Sequence, residues 1–167
     1  MKVTIRKNTF ETNSSSVHTI CIAKEPANNF QGSKIFFELG DFGWEFESVN
    51  RADYLYTAIM TSSKTDEYLD KLKAILDKND IIYGFAKPKY YDDDHRWIEN
   101  GGIDHSYELE EILEVIMNDE DMLLRFLFNN DSAVYTGNDN SEGYWRGEYI
   151  DNPYHNEDKF DYFVKGN

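Results

Sequence analysis

Apolar positions along the chain follow two rhythms. Lys2 to Arg6, Val17 to Lys24 and Lys34 to Leu39 set β-branched and aromatic residues between polar breaks, which predicts three strands, with a polar loop over 7–16 joining the first two. From residue 50 the period lengthens. Tyr54, Leu55, Ala58 and Ile59 repeat at i, i+3, i+4 behind a capping Asn50, and Leu69, Leu72, Ile75 and Leu76 do so behind Ser63, predicting two helices. Asp80 to Phe85 reads as a buried strand, after which Pro88 opens a polar loop to about His105. Ser106 ahead of Leu109, Ile112, Leu113, Ile116 and Met117 predicts a third helix, and Met122, Leu123, Phe126 and Leu127 a fourth. Short strands are expected at Val134 to Thr136 and Phe160 to Val164. The polar stretch between them, Gly137 to Asp158, has a length usually reserved for functional or mobile loops. Grouped strands followed by helices predict an α+β fold: a single domain over 1–167, with a mixed or antiparallel sheet packed on two to four helices.

Charge narrows the function classes. The 167 residues carry 17 Lys plus Arg against 32 Asp plus Glu, a formal charge of −15, so simple phosphate neutralisation of a nucleic acid is excluded. Aromatics at 16% are too many for a disordered acidic tail. Residues 1–40 are net +2 and the rest net −17, and from Glu99 to Leu124 nine carboxylates occur without a Lys or Arg. Such a segment repels itself unless an apolar face holds it down. Met1 to Arg6 lacks the apolar run of a secretory leader, and no stretch approaches the ~18 apolar residues of a membrane span. The expected location is the cytoplasm of a host cell. Cys21, alone and inside Ile20-Cys21-Ile22, reads as a small buried hydrophobe rather than a reactive thiol.

Three polar blocks could carry chemistry. Phe10 to His18 gathers Asn13, Ser14, Ser15, Ser16 and His18 at a loop-to-strand junction, the parts of a nucleophile and its base, although no G-x-S-x-G elbow or P-loop accompanies them. The competing reading is that these groups bond loop backbone in Asx and Ser/Thr turns. Asp104-His105 and Thr136 to Asn140, with Asn138 and Asp139, are the other two blocks. Together they would offer imidazoles, carboxylates and an amide for acid–base work or for a two-His, one-carboxylate metal site, but no H-x-x-x-H spacing supports a metal and none is expected. An EF-hand reading of Asn138 to Gly143 fails because Tyr149 stands where the bidentate Glu belongs. Asp92-Asp93-Asp94-His95 reads as a solvated charge run, and Trp44 as core.

The acidic segment offers a binding alternative. Glu110 and Glu114 lie one helical turn apart, with Glu108, Glu111, Asp119, Glu120 and Asp121 nearby. A rigid row of carboxylates can imitate a phosphate backbone, and Tyr144 and Trp145, between glycines, are side chains favoured as interface anchors.

The runs F-E-T-N-S-S-S-V-H from Phe10, F-G-W-E from Phe42, Y-L-Y-T-A-I from Tyr54, I-D-H-S from Ile103 and Y-T-G-N-D-N from Tyr135 together resemble a group of phage, prophage and mobile-element proteins with no agreed activity. The resemblance implies a context, not a catalytic assignment. It also implies that the three polar blocks meet in space. Two readings follow. The first is a non-enzymatic accessory protein whose acidic face docks on a basic host protein, a nucleic-acid-processing defence enzyme being the case considered, with no direct nucleic-acid or membrane binding. The second is a small hydrolase or transferase with His18 or His105 as base, Ser14 to Ser16 as nucleophile or substrate ligand, and Asp104 or Asp139 orienting the imidazole. Neither calls for a cofactor.

Overall fold

A computed structural model describes residues 3–4, 16–27, 29–43, 47–91, 98–104, 109–138 and 156–165. In chain order the strands are β1 (Val3–Thr4), β2 (Ser16–Ala23), β3 (Lys34–Phe37), β4 (Asp41–Phe42), β5 (Glu47–Val49), β6 (Ile82–Phe85), β7 (Gly102–Ile103), β8 (Ala133–Asn138) and β9 (Phe160–Lys165). The helices are α1 (Arg51–Met60), α2 (Thr65–Lys78), α3 (Glu110–Met117) and α4 (Glu120–Phe128). The α+β architecture expected above is the one observed. Its main sheet is mixed and five-stranded, ordered β1-β9-β2-β8-β5, with β1 parallel to β9 and the other pairs antiparallel.

Strand alternation sorts β2 onto two faces. Ile20 and Ile22, with Val134 of β8 and Phe163 of β9, join the core built from the helices, whereas Cys21 and Ala23 cluster with Phe160 on the other side. Cys21 is fully buried, and desolvation pushes its thiol up to about 12, the behaviour of a small hydrophobe. The helical stripes match their spacing. Tyr54, Leu55, Ala58 and Ile59 of α1 are buried, as are Leu109, Ile112, Leu113, Ile116 and Met117 around α3 and Leu123, Phe126 and Leu127 of α4. Where Ile20 meets α1, α3 and α4 the remaining gap measures about 10 Å³, no more than a single water requires.

Caps and edges depart from expectation in places. Asn50 caps α1 as its type predicts, its Oδ1 accepting from the amides of Ala52 at 2.9 Å and Asp53 at 3.3 Å. Ser63 does not cap α2: the helix begins after Lys64, and the Ser63 amide donates to Glu110 Oε1 at 2.7 Å instead. The Ser106 cap lies outside the described residues. The strand expected at 80–85 is not buried throughout, since Ile81 is buried but Ile82 is 57% exposed. β6 pairs in parallel with β3 in a two-stranded sheet, so alternate side chains have no second layer to cover them. β4, β5 and β7 were not expected, being two or three residues long.

Candidate functional site

Two strand registers bring distant polar residues to one end of the sheet. In the β2–β8 pairing His18 lies opposite Thr136 and Ser16 opposite Asn138. In the parallel β4–β7 pair Phe42 lies beside Ile103, which carries Gly43 and Asp104 on past the last paired residues. The Asp104 amide donates to the Phe42 carbonyl at 3.0 Å. The two registers then touch: Ser16 Oγ donates to the Asp104 carbonyl at 3.4 Å. Gly43 stands at the junction with φ +113°, and a Cβ there would lie 2.7 Å from His18 Nε2 and 3.0 Å from Asp104 Cβ. Only glycine accommodates both that backbone angle and that approach.

Helix α1 supplies the remaining partner. His18 Nδ1 lies 2.7 Å from Tyr54 Oη, and the Tyr54 ring sits between His18 and Phe42, with centroids 5.7 and 5.6 Å away. Burial pushes the Tyr54 phenol up, so it stays protonated throughout the ordinary range. Its hydroxyl proton needs an acceptor, and His18 Nδ1 is its hydrogen-bond partner among the described residues. With Nδ1 accepting, a neutral imidazole carries its own proton on Nε2, the nitrogen facing Gly43 and Asp104. His18 is therefore placed as a donor toward that point, whereas the sequence suggested a base. Ser16, His18 and Thr136 are buried, and the less buried Asp104 marks the outer side of the cluster.

Of the residues expected here, Ser16, His18 and Asp104 come together, and Asn138 is placed by register opposite Ser16. Asn13, Ser14, Ser15, His105 and Asp139 lie outside the described residues, as do Trp44, the charge run 92–95 and the 140–149 part of the tested calcium loop. Sequence reasoning missed two contributors, Tyr54 and Gly43. Tyr54 fits the apolar stripe of α1, so nothing in its spacing distinguishes it from core. Gly43 stands between Phe42 and Trp44 in the F-G-W-E run, where nothing in the local sequence marks a positive φ.

The expected acidic docking residues occupy another part of the molecule, along α3 and the start of α4. Glu114 pairs with Lys64 at 3.3 Å, Glu120 with Lys78 at 2.6 Å, and Glu110 accepts the Ser63 amide. Asp119 Oδ1 caps α4 by accepting from Met122 at 3.0 Å, and Asp121 binds Arg125 at 2.8 Å. Glu111 is exposed, and Glu108, Tyr144 and Trp145 lie outside the described residues. Lys64, Lys71 and Lys78 recur every seventh residue, so α2 turns one cationic edge toward this row, Lys71 reaching Asn118 Oδ1 at 2.8 Å. Glu110, Glu114 and Glu120 thus brace α3 and α4 against α2 and the residues leading into it, while Asp119 and Asp121 are engaged within α4.

This bracing makes a pH prediction. The bond from Ser63 holds Glu110 below its ordinary value of 4.5, and those from Lys78 and Asn79 do the same for Glu120. A carboxyl lowered on folding stabilises fully above its unfolded value and loses that contribution as pH falls through the folded one. Stability should therefore decline below about pH 4.5, and E110Q/E120Q should flatten the decline. Urea midpoints between pH 7 and pH 3 check this, and an unchanged slope in the double variant contradicts it.

Among the described residues no group of three or more His, Cys, Asp or Glu side chains could hold a metal ion, and no helix is long and apolar enough to cross a membrane. No family model, curated protein or solved structure matches the chain.

Proposed function

We propose that the protein is a small hydrolase or transferase acting in the cytoplasm of a host cell, with its site where Ser16, His18 and Asp104 meet. The observation that carries this reading is the approach at Gly43, which joins β2 to the β4–β7 pair through His18 Nε2 and Asp104. One structural turn does not require a buried imidazole, oriented by a buried phenol, closing on the same glycine as the Asp104 side chain. In this reading a hydroxyl among Ser14 to Ser16 attacks an electrophilic carbon or phosphorus, and its proton passes to the Asp104 carboxylate. His18 Nε2–H donates to the oxygen on which negative charge develops, and the leaving group departs with a proton returned from Asp104. Water then releases the bound group in a hydrolase, and a second nucleophile takes it in a transferase.

The acidic docking reading stands behind this one, because Glu110, Glu114, Glu120 and Asp121 already have partners within the chain. The two readings separate experimentally. A fluorophosphonate probe should form an adduct on one of Ser14 to Ser16, and p-nitrophenyl acetate should be turned over. D104N and H18Q should lower both by about 100-fold, a loss typical of removing a positioned proton-transfer group. E110Q/E111Q/E114Q should leave both intact. Absence of adduct and turnover, or rates insensitive to D104N and H18Q in folded variants, overturns the proposal.

A further inference from the structure

A cleft lies on the far side of the sheet from His18. It measures about 610 Å³, within the roughly 300–1,000 Å³ usual for small-molecule sites, and opens between the β5–α1 junction, the start of β8 and the residues leading into β9. Tyr135, one of its walls, neighbours Thr136, but strand alternation sends the two side chains to opposite faces, so this cleft is separate from the site above.

Its charge runs against that of the chain. A protein of net −15 repels small anions over most of its surface, yet among the described residues this cleft is lined by Arg51 and Lys159 against the one carboxylate of Asp131. Arg51 is half-buried and fixed by donating to the Asn129 carbonyl, which uses only part of a guanidinium that offers five N–H donors. Lys159 is exposed and adds a mobile ammonium. The positive character comes from these side chains and not from the end of α1, whose Ala52 and Asp53 amides are taken by Asn50. Tyr135 and Phe160 add aromatic side chains to a lining that also holds Val49 and Ala133 beside the hydroxyls and amides of Ser48, Asn50, Asn130 and Ser132.

We propose that this cleft binds a phosphate monoester of nucleotide size, its phosphate held by Arg51 and Lys159 and its planar ring laid against Tyr135. Guanidinium and ammonium together match a dianionic phosphate, and an aromatic wall accepts a ring without requiring a particular base. The inference does not depend on the hydrolase or transferase reading, since it uses neither His18 nor Asp104.

The experiment titrates the full chain with AMP, adenosine and inorganic phosphate while amide resonances are followed by NMR. AMP should shift the amides of Asn50, Arg51, Ser132 and Ala133 saturably, inorganic phosphate should shift the same set about tenfold more weakly, and adenosine should not shift them. K159E, at an exposed position, should weaken AMP by about tenfold or more. K73E makes the same charge change on the exposed side of α2 and should leave AMP binding unchanged. The proposal is overturned if AMP leaves those amides unmoved, if adenosine matches AMP, or if K159E and K73E have equal effects.

Discussion

Replacing Arg125 by alanine is expected to destabilise the fold by about 3–5 kcal/mol, the cost of breaking a buried ion pair from one side. The side chain is almost wholly enclosed, yet it serves three acceptors: Asp121 at 2.8 Å, Asp161 at 3.1 Å and the Ala23 carbonyl at 2.7 Å. Burial works against its charge, but the bonds to Asp161 and Asp121 outweigh that and hold the guanidinium above its ordinary value. Asp121 is largely exposed and returns to water when the arginine is removed. Asp161 is only 14% exposed, so its carboxylate and the Ala23 carbonyl each lose, in a largely enclosed setting, the bond that Arg125 donates. Arg125→Lys should recover only part of the loss, because one ammonium cannot span acceptors on α4, β2 and β9 together. Combining Arg125→Met with Asp161→Asn should cost less than the sum of the two single changes. Urea unfolding of these variants beside the parent protein measures this, and a loss under 1 kcal/mol for Arg125→Ala is incompatible with the network described.

Gly43→Ala is expected to cost about 2–5 kcal/mol, from two sources. The residue holds φ +113°, and its new methyl would press on the His18 ring and on Asp104. Gly32 also has a positive φ, +74°, but nothing lies within 4 Å of the position its Cβ would take. Gly32→Ala therefore reports a positive-φ cost without crowding, expected to be about 1 kcal/mol, and the excess at Gly43 combines its less accessible φ with crowding at the imidazole. Gly43→Ala alone should also displace the His18 ring resonances. A loss at Gly43 no larger than that at Gly32 would show that the backbone, His18 and Asp104 all yield freely there, and the site would then lack the rigidity its chemistry needs.

The helices were legible because each carries a continuous stripe: Leu109, Ile112, Leu113, Ile116 and Met117 are all buried. β4 and β7, at two residues each, are too short to display any alternation, yet they are the pair that aligns Gly43 with Asp104. The exposure of Ile82 was hidden for a different reason, since an apolar run is the same string whether one face of its sheet is covered or both. The three polar blocks could be named from composition, but their meeting depends on strand register, which local spacing does not encode. The internal partners of the acidic segment could have been found in the sequence: Lys64, Lys71 and Lys78 share one side of α2 at seven-residue intervals. Counting charge along the chain hides them, because the pairing runs between helices.

The order β1-β9-β2 places the last strand between the first two. During synthesis β2 emerges early, and the edge that β9 will occupy stays open until residues 160–165 have left the ribosome. Until then β2 presents unpaired amides and carbonyls beside Ile20, Cys21 and Ile22, a strand able to recruit a neighbouring nascent chain. Polypeptides truncated before Phe160 are thus exposed to aggregation, because β2 then lacks the partner that covers this edge.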